Sequence, residues 1–92
     1  MRTVHKFTLL TSHWCESKQV PKGAKFCGFD FQHNNPTLWF EIDTDAPIET
    51  RHFEIVGTGN EVPDDGVHLA SVQVLEEQPG RYWVWHLYEV TK

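Results

Sequence analysis

No apolar run in this 92-residue sequence approaches the roughly 20 residues that a membrane-spanning helix needs, so we expect no integral membrane protein. A signal-peptide pattern is also missing, because Thr11, Ser12 and His13 interrupt the apolar residues near the N-terminus. Only two cysteines occur, Cys15 and Cys27. Without an export signal, we expect both to be free thiols in the cytoplasm.

Basic residues are scarce. Lys and Arg number 8 against 13 Asp and Glu, which gives a formal net charge of −5 at neutral pH. Duplex nucleic acids are bound largely through positive charges that neutralise their phosphates. A chain with this balance lacks the basic field that general duplex binding requires, so duplex DNA or RNA is not an expected partner.

Sequence patterns of catalytic and metal sites are likewise missing. No serine lies in a G-x-S-x-G elbow, and neither cysteine has the local signature of an activated nucleophile. The histidines, at positions 5, 13, 33, 52, 68 and 86, form neither an HxH nor an HExxH motif. His52, His68 and His86 could meet across neighbouring strands, but we expect no metal, no cofactor and no enzyme activity.

Period-two alternation of apolar and polar residues recurs along the whole chain, whereas no long stretch has the spacing of an amphipathic helix. This pattern predicts strands at residues 2–10, 16–20, 25–31, 37–43, 49–57, 67–75 and 82–90. Short strands without a crossover helix favour antiparallel pairing. The sequence therefore predicts a single all-β domain over residues 1–92, a small antiparallel β-sandwich or barrel of six to seven strands.

The apolar side of this alternation is expected to supply the core. Its members are Phe7, Leu9, Phe29, Leu38, Phe40, Ile42, Phe53, Ile55, Val72 and Val74. The same alternation places Cys27 on one face with Phe29 and Phe31, where a free cysteine behaves as a small apolar residue.

Turn residues separate the predicted strands. In Val20–Gly23, proline at the second position and glycine at the fourth favour a type I turn. His33–Pro36 predicts a tight reversal, because asparagine tolerates positive φ at small cost. Gln78–Arg81 has Pro-Gly at its centre, which is typical of a type II turn.

The closing segment, residues 82–90, is bulky on both faces. One face carries Trp83, Trp85 and Leu87, and the other carries Tyr82, Val84, His86, Tyr88 and Val90. A strand of this kind is either buried between two layers or takes part in an interface, where Trp and Tyr are enriched. We therefore expect the protein to form a homo-oligomer.

The segment Gly57–Gly66, with the sequence GTGNEVPDDG, is a second candidate for function. Glycine allows positive φ, so successive backbone N–H groups can form a concave nest for an anion. No lysine follows the glycines, and Glu61, Asp64 and Asp65 would oppose a phosphate unless they point away. A phosphate site and a plain surface turn are both compatible with this segment.

Five segments of the chain are recognisable together: T-V-H-K-F, V-P-K-G-A-K, L-W-F-E-I-D-T-D-A-P, R-H-F-E-I-V-G-T-G-N-E-V-P-D-D and V-W-H-L-Y-E. They resemble a family of short bacteriophage and prophage proteins that carries only a domain-of-unknown-function label. The resemblance covers residues 2–90, and its most recognisable mark is G-T-G-x-x-x-P-D, which begins at Gly57.

The resemblance implies a setting and a function class. Small phage proteins are made in the host cytoplasm and often interfere with host defence. One way to do so without catalysis is to sequester a small nucleotide-like ligand, such as a host immune signalling nucleotide, and we expect a non-enzymatic protein of this kind. The alternative is a protein-interaction module that inhibits a host or phage protein through its aromatic closing strand.

Such a site would stack aromatic rings on a base and hold phosphates with backbone N–H groups or arginine. We expect Arg51 and the Gly57–Gly59 backbone to combine with one of Trp39 or Trp85. The full set of candidate ligand-binding residues is Arg51, Gly57, Thr58, Gly59, Asn60, Trp39, Trp85 and His86. Arg51 is the only basic residue between Lys25 and Arg81, and a ligand, a cross-strand acid or solvent could each use it.

Overall fold

The computed structural model describes residues 1–10, 15–75 and 80–91, and all regular structure in these ranges is β-strand. The strands are β1 (Arg2–Thr8), β2 (Cys15–Pro21), β3 (Lys25–Gln32), β4 (Asn35–Asp43), β5 (Ile48–Gly57), β6 (Val67–Leu75) and β7 (Tyr82–Val90). Across these ranges we find no helix long and apolar enough to cross a membrane.

The strands form two sheets in which all neighbours are antiparallel. The three-stranded sheet has the order β1-β4-β3, and the four-stranded sheet has the order β2-β5-β7-β6. The sheets face each other, with β3 packed against β6 and β2 against β4. The predicted all-β antiparallel fold is confirmed, and because the sheets are separate, the architecture is a sandwich.

Phenylalanines form the centre of the core between the sheets. The ring of Phe40 makes edge contacts with Phe7 and Phe26 and a tilted contact with Phe53 in the opposite sheet, all with centroids within 5.8 Å. Aromatic pairs at such distances stabilise a core beyond the area that they bury. Other fully or nearly fully buried side chains include Leu9, Val20, Leu38, Ile42, Ile55 and Leu87.

Three residues of the predicted core are only half-buried: Phe7, Val72 and Val74. Phe7 lies on β1 and the two valines lie on β6, and both strands are at the edge of their sheet. An edge strand has a neighbour on one side only, so an inward side chain there is fully buried, like Val20, only where the opposite sheet or a loop also covers it. Period-two alternation identifies a face but carries no information about which strand is at an edge.

A β-bulge moves Cys27 off the face that the alternation predicts for it. The pairing of β3 with β4 shifts between Phe26 and Gly28, so Cys27 is exposed. Phe26, rather than Cys27, then contacts the central ring of Phe40. Both cysteines are free, as the sequence predicts.

One predicted turn is confirmed, one is shifted by a residue, and one is described only in part. His33 and Asn34 have φ of 52° and 67°, as a two-residue hairpin turn requires. The first turn closes from the carbonyl of Pro21 to the N–H of Ala24, with Gly23 at φ 81°, so it is shifted by one residue and resembles type II. Of the predicted turn Gln78–Arg81, the first two residues lie outside the described ranges, and Gly80 has the positive φ, 82°, that type II requires.

Candidate functional site

Burial along the inward face of β7 falls from one end of the strand to the other. Leu87 is completely buried, Trp85 is half-buried against the core, and Trp83 is 44% exposed. These residues share a face because alternate side chains of a strand point the same way. The face that supplies the core therefore continues into an accessible aromatic surface.

The Trp85 ring lies directly against the backbone of Gly57, its partner on β5. A Cβ atom at position 57 would come within 3.1 Å of Trp85 Cζ3 and 3.2 Å of Asn60 Nδ2. Both distances are tighter than ordinary carbon contacts. Gly57 thus allows the tryptophan ring and the amide side chain to meet over the same point of the chain.

A groove of about 460 Å³ lies between this loop and the start of β7. It is lined by Gly57, Thr58, Asn60, Tyr82, Trp83, Val84 and Trp85. The Trp83 and Trp85 rings are stacked, with centroids 6.3 Å apart and planes inclined by 17°. The Arg81 guanidinium carbon lies 5.2 Å from the centre of the Trp83 ring, a cation–π distance. One wall of the groove is therefore aromatic, and the other is a polar loop.

One backbone hydrogen bond holds the glycine loop against β7, and a second closes the loop on itself. The Thr58 N–H donates to the carbonyl of Val84 at 3.3 Å, and the Asn60 N–H donates to the carbonyl of Gly57 at 3.1 Å. Gly59 has φ of 93°, which a residue with a side chain rarely adopts. The loop is positioned by these contacts, and two of its N–H groups are already used by them.

A chain of hydrogen bonds runs from this loop across the outer face of the four-stranded sheet. Thr58 Oγ1 lies 2.9 Å from His86 Nε2, and His86 Nδ1 lies 2.6 Å from Ser71 Oγ. Ser71 Oγ also lies 2.9 Å from His68 Nε2. His86 therefore contacts the groove indirectly, through the Thr58 hydroxyl.

Arg51 lies away from the groove, in an ion pair between neighbouring strands of the four-stranded sheet, on the side that faces the other sheet. Its Nε and Nη2 donate to the Glu89 carboxylate at 2.6 and 2.8 Å, and its Nη1 donates to the Ala24 carbonyl at 2.8 Å. The guanidinium also lies 5.0 Å from the centre of the Phe40 ring. The hydrogen bond to Glu89 is the main cause that raises the pKa of Arg51 above its ordinary value. The sequence left three partners open for Arg51: a ligand, an acid on a neighbouring strand, or solvent. In the structure its partner is the acid on the neighbouring strand, Glu89.

Trp39 is also remote from the groove. Trp39 lies on β4 and is paired with Lys6 of β1 and Gly28 of β3. Its neighbours along β4, Leu38 and Phe40, point inward into the core. Its side chain therefore lies on the outer face of the three-stranded sheet.

The structure thus brings together six of the eight candidate ligand-binding residues and places Arg51 and Trp39 elsewhere. Gly57, Thr58, Asn60 and Trp85 line one groove, Gly59 belongs to its loop, and His86 is bonded to it. The ligand-binding residues predicted from the sequence did not include Trp83 and Tyr82, which also line the groove. The two-residue spacing of Trp83 and Trp85, which puts both rings on one face, is the signal that identifies Trp83.

The three histidines considered for a metal site, His52, His68 and His86, do not converge. His68 and His86 share Ser71, with ring centroids 6.3 Å apart, whereas His52 Nδ1 lies 2.6 Å from Ser17 Oγ. In the described part of the chain, no group of three His, Cys, Asp or Glu side chains is placed to hold a metal ion.

The chain belongs to a protein family described as a domain of unknown function, DUF7352, whose profile matches residues 1–92. Neither the curated proteins nor the solved structures that were compared with this chain include a match.

Proposed function

We propose that this protein is a non-enzymatic binding protein that holds a small nucleotide-like ligand in the groove between residues 57–60 and the start of β7. The observation that carries the proposal is the meeting of a stacked tryptophan pair with a polar loop in one concave site. At about 460 Å³, the groove is within the 300–1,000 Å³ range of small-molecule sites.

The lining offers both kinds of contact that a nucleobase needs. The exposed part of Trp83 provides a ring on which a base can stack, a contact worth about 1–3 kcal/mol per base. The Asn60 amide can donate and accept hydrogen bonds, and the Thr58 hydroxyl can do the same. Stacking would supply most of the affinity, and these polar groups would select the base.

The resemblance to phage proteins suggests where such binding would act. We propose that the protein is phage-derived, works in the host cytoplasm, and removes a host immune signalling nucleotide from solution. Sequestration requires only that the protein be abundant and bind tightly, because an occupied site withdraws its ligand from other receptors. No turnover of the ligand is needed.

A second copy of the chain would enclose the ligand further. Leu75 and Tyr82 pair across β6 and β7 beside the groove, and they are 56% and 61% exposed. Leu75 and Tyr82 on one face of the sheet and Trp83 on the other form an apolar rim around this end of β7, which an oligomer would cover. We propose a homo-oligomer, which light scattering tests by giving a mass that is a multiple of the 10.7 kDa chain; a mass of one chain at high concentration contradicts it.

A thermal-shift screen against host mononucleotides and cyclic dinucleotides tests the binding function. A ligand at 100 times its Kd adds about 2.7 kcal/mol, which raises the Tm of a domain of this size by roughly 10–20 °C. Trp83→Ala should abolish most of that shift, whereas Trp39→Ala, on the outer face of the other sheet, should retain it. A screen in which no compound stabilises the protein contradicts the proposal.

The exposed rim also favours a second candidate, a module that inhibits a host or phage protein through its aromatic strand. Aromatic anchors such as Tyr82 and Trp83 are typical of protein interfaces. The two candidates differ in their use of Asn60, whose amide lies inside the groove. Asn60→Ala should weaken the binding of a nucleotide and leave the binding of a protein unchanged. Leu75→Ser should weaken the binding of a protein and leave the binding of a nucleotide unchanged.

A further inference from the structure

We infer that the groove recognises the base of its ligand and leaves the phosphate in solvent, so that a nucleoside binds about as tightly as the corresponding nucleotide. This inference rests on the proposed function, because it specifies which part of a nucleotide-like ligand the same groove holds. It follows from four properties of the groove: its cations, its backbone donors, its neighbouring acids and its polar side chains.

The lining of the groove carries no positive charge among the described residues, because none of them is Lys or Arg. Arg51 is bonded to Glu89 and Ala24 beside a different cavity, so the residue that the sequence suggested for a phosphate is not available to this ligand. The Arg81 guanidinium lies over the Trp83 ring. Arg81 therefore reaches the groove only through its contact with the Trp83 ring and is not part of the lining that would hold a ligand.

The backbone of the glycine loop also provides few N–H donors for a phosphate. An anion-binding nest needs successive N–H groups that point into one concavity. Here the Thr58 N–H points to the carbonyl of Val84 and the Asn60 N–H points to the carbonyl of Gly57. The first bond holds the loop against β7 and the second closes the turn of the loop itself, so a phosphate could use these donors only by breaking both bonds.

Acidic residues continue directly from the loop. Glu61 follows Asn60 in the chain, and Glu61, Asp64 and Glu54 line an adjacent hollow of about 300 Å³. Like charges repel by about 1 kcal/mol at 4 Å even in water, and physiological salt screens them only beyond about 8 Å. A triphosphate bound at the groove would feel this repulsion, whereas an uncharged nucleoside would not.

The side-chain donors, in contrast, suit a base edge. If His68 Nε2–H donates to Ser71 and Ser71 donates to His86 Nδ1, then His86 Nε2–H donates to Thr58 Oγ1. The Thr58 hydroxyl proton is then directed to the carbonyl of Val84, a long contact of 3.4 Å, or to a ligand. A carbonyl oxygen or ring nitrogen of a base would be a better acceptor than this long contact. Asn60 adds both a donor and an acceptor.

Calorimetric titration with the four ribonucleosides, their 5′-monophosphates and their 5′-triphosphates tests the inference. For the base that binds, we expect the nucleoside and monophosphate Kd values to agree within about threefold, and the triphosphate to bind several-fold more weakly at low salt. A monophosphate that binds more than about tenfold tighter than its nucleoside overturns the inference and leaves the binding function intact. If none of the twelve probes binds, both the inference and the proposed function fail for these ligands.

A charge-neutral variant sharpens the test. Glu61→Gln should tighten triphosphate binding about threefold and leave nucleoside binding unchanged, because it removes one repulsive charge. Asp45→Asn is the matched control, since Asp45 is an exposed acid before the opposite end of β5. Equal effects of the two variants on the triphosphate would show that only net charge matters, which would overturn the local argument.

Discussion

At the Glu89 end of β7, a charged pair closes the space between the sheets, whereas at the Trp83 end an aromatic pair is left accessible to solvent. The Arg51 and Glu89 side chains are only 18% and 25% exposed, and their polar atoms are bonded to each other and to the Ala24 carbonyl. Trp83, on the same face, retains 44% of its exposure although it is apolar.

This difference separates a structural role from a binding role. A buried polar group that has its partners contributes to the fold and has little left to offer a ligand. An exposed aromatic surface beside a concave loop is the opposite case, because covering it with a ligand is favourable. By this criterion the Trp83 end is the candidate site, and the Arg51 end contributes to the fold.

The largest difference is expected between two residues of the same face of β7. Leu87→Ala should lower the free energy of unfolding by about 2–5 kcal/mol, because Leu87 is completely buried and its loss leaves a cavity. Trp83→Ala should cost only about 1 kcal/mol, since roughly half of the ring is already in solvent. Urea denaturation measures both. Equal losses would mean that Trp83 is part of the core rather than of a site.

At the other end, Arg51→Ala should lower the free energy of unfolding by about 3 kcal/mol, because it leaves the Glu89 carboxylate partly buried without its partner. Arg51→Lys should cost less, as it retains the charge but cannot form the two parallel bonds. Ligand affinity of the folded Arg51→Ala protein should be unchanged. A selective loss of affinity with normal stability would return Arg51 to the binding site.

Adding a methyl group at Gly57 tests the packing of the groove itself. Gly57→Ala should cost about 1 kcal/mol and change the tryptophan fluorescence, because the new Cβ would press on Trp85 and Asn60. Gly28→Ala is the matched control, since a Cβ there has no atom within 4 Å. Its fluorescence should match that of the unmodified protein, and identical spectra for the two variants would contradict the close approach of Trp85 to Gly57.

The smallest effect is expected at the corner between β1 and β4, away from both ends of β7. The hydrogen bond from Arg2 lowers the pKa of Glu41, and the Asp45 N–H and the N-terminal ammonium lower the pKa of Asp43. A carboxyl group whose pKa is lower in the folded than in the unfolded protein stabilises the fold at pH values above its unfolded pKa. This stabilisation is lost as the pH falls through the pKa of the folded state.

The contribution of Glu41 and Asp43 to the free energy of unfolding should therefore be constant from pH 7 to about 5. It should decline below their ordinary pKa values of 4.5 and 3.8. Urea denaturation at each pH measures the decline. Arg2→Gln should make it shallower, and an unchanged slope would show that this exposed pair contributes nothing.

Much of the fold followed from local patterns. Strict alternation around Phe40 and Phe53 identified their strands and inward faces, since a one-residue slip would turn every apolar side chain outward. The positive φ of Asn34 and Gly80 likewise follows from residue type. The bulge at Cys27 was not predictable in this way, because one extra residue in a ladder leaves the composition of the strand unchanged.

The candidate site also has a part that local sequence predicts and a part that it does not. That Gly57, Thr58, Gly59 and Asn60 lie together was evident from the sequence, because neighbours in a tight loop stay neighbours in the fold. That Trp85 belongs with them, while Trp39 does not, depends on which strands pair, and period-two alternation is the same for every pairing order.

The sequence by itself therefore determined the strands, their inward faces and the glycine loop, because these depend on the chemistry of residues close together in the chain. Only the tertiary structure decided the partner of Arg51, which lies 38 residues away at Glu89. It also decided how far the cover of the opposite sheet extends along β7, and hence that Leu87 is core while Trp83 is accessible. Both depend on strand order and register, which arise from packing between distant segments rather than from any local preference.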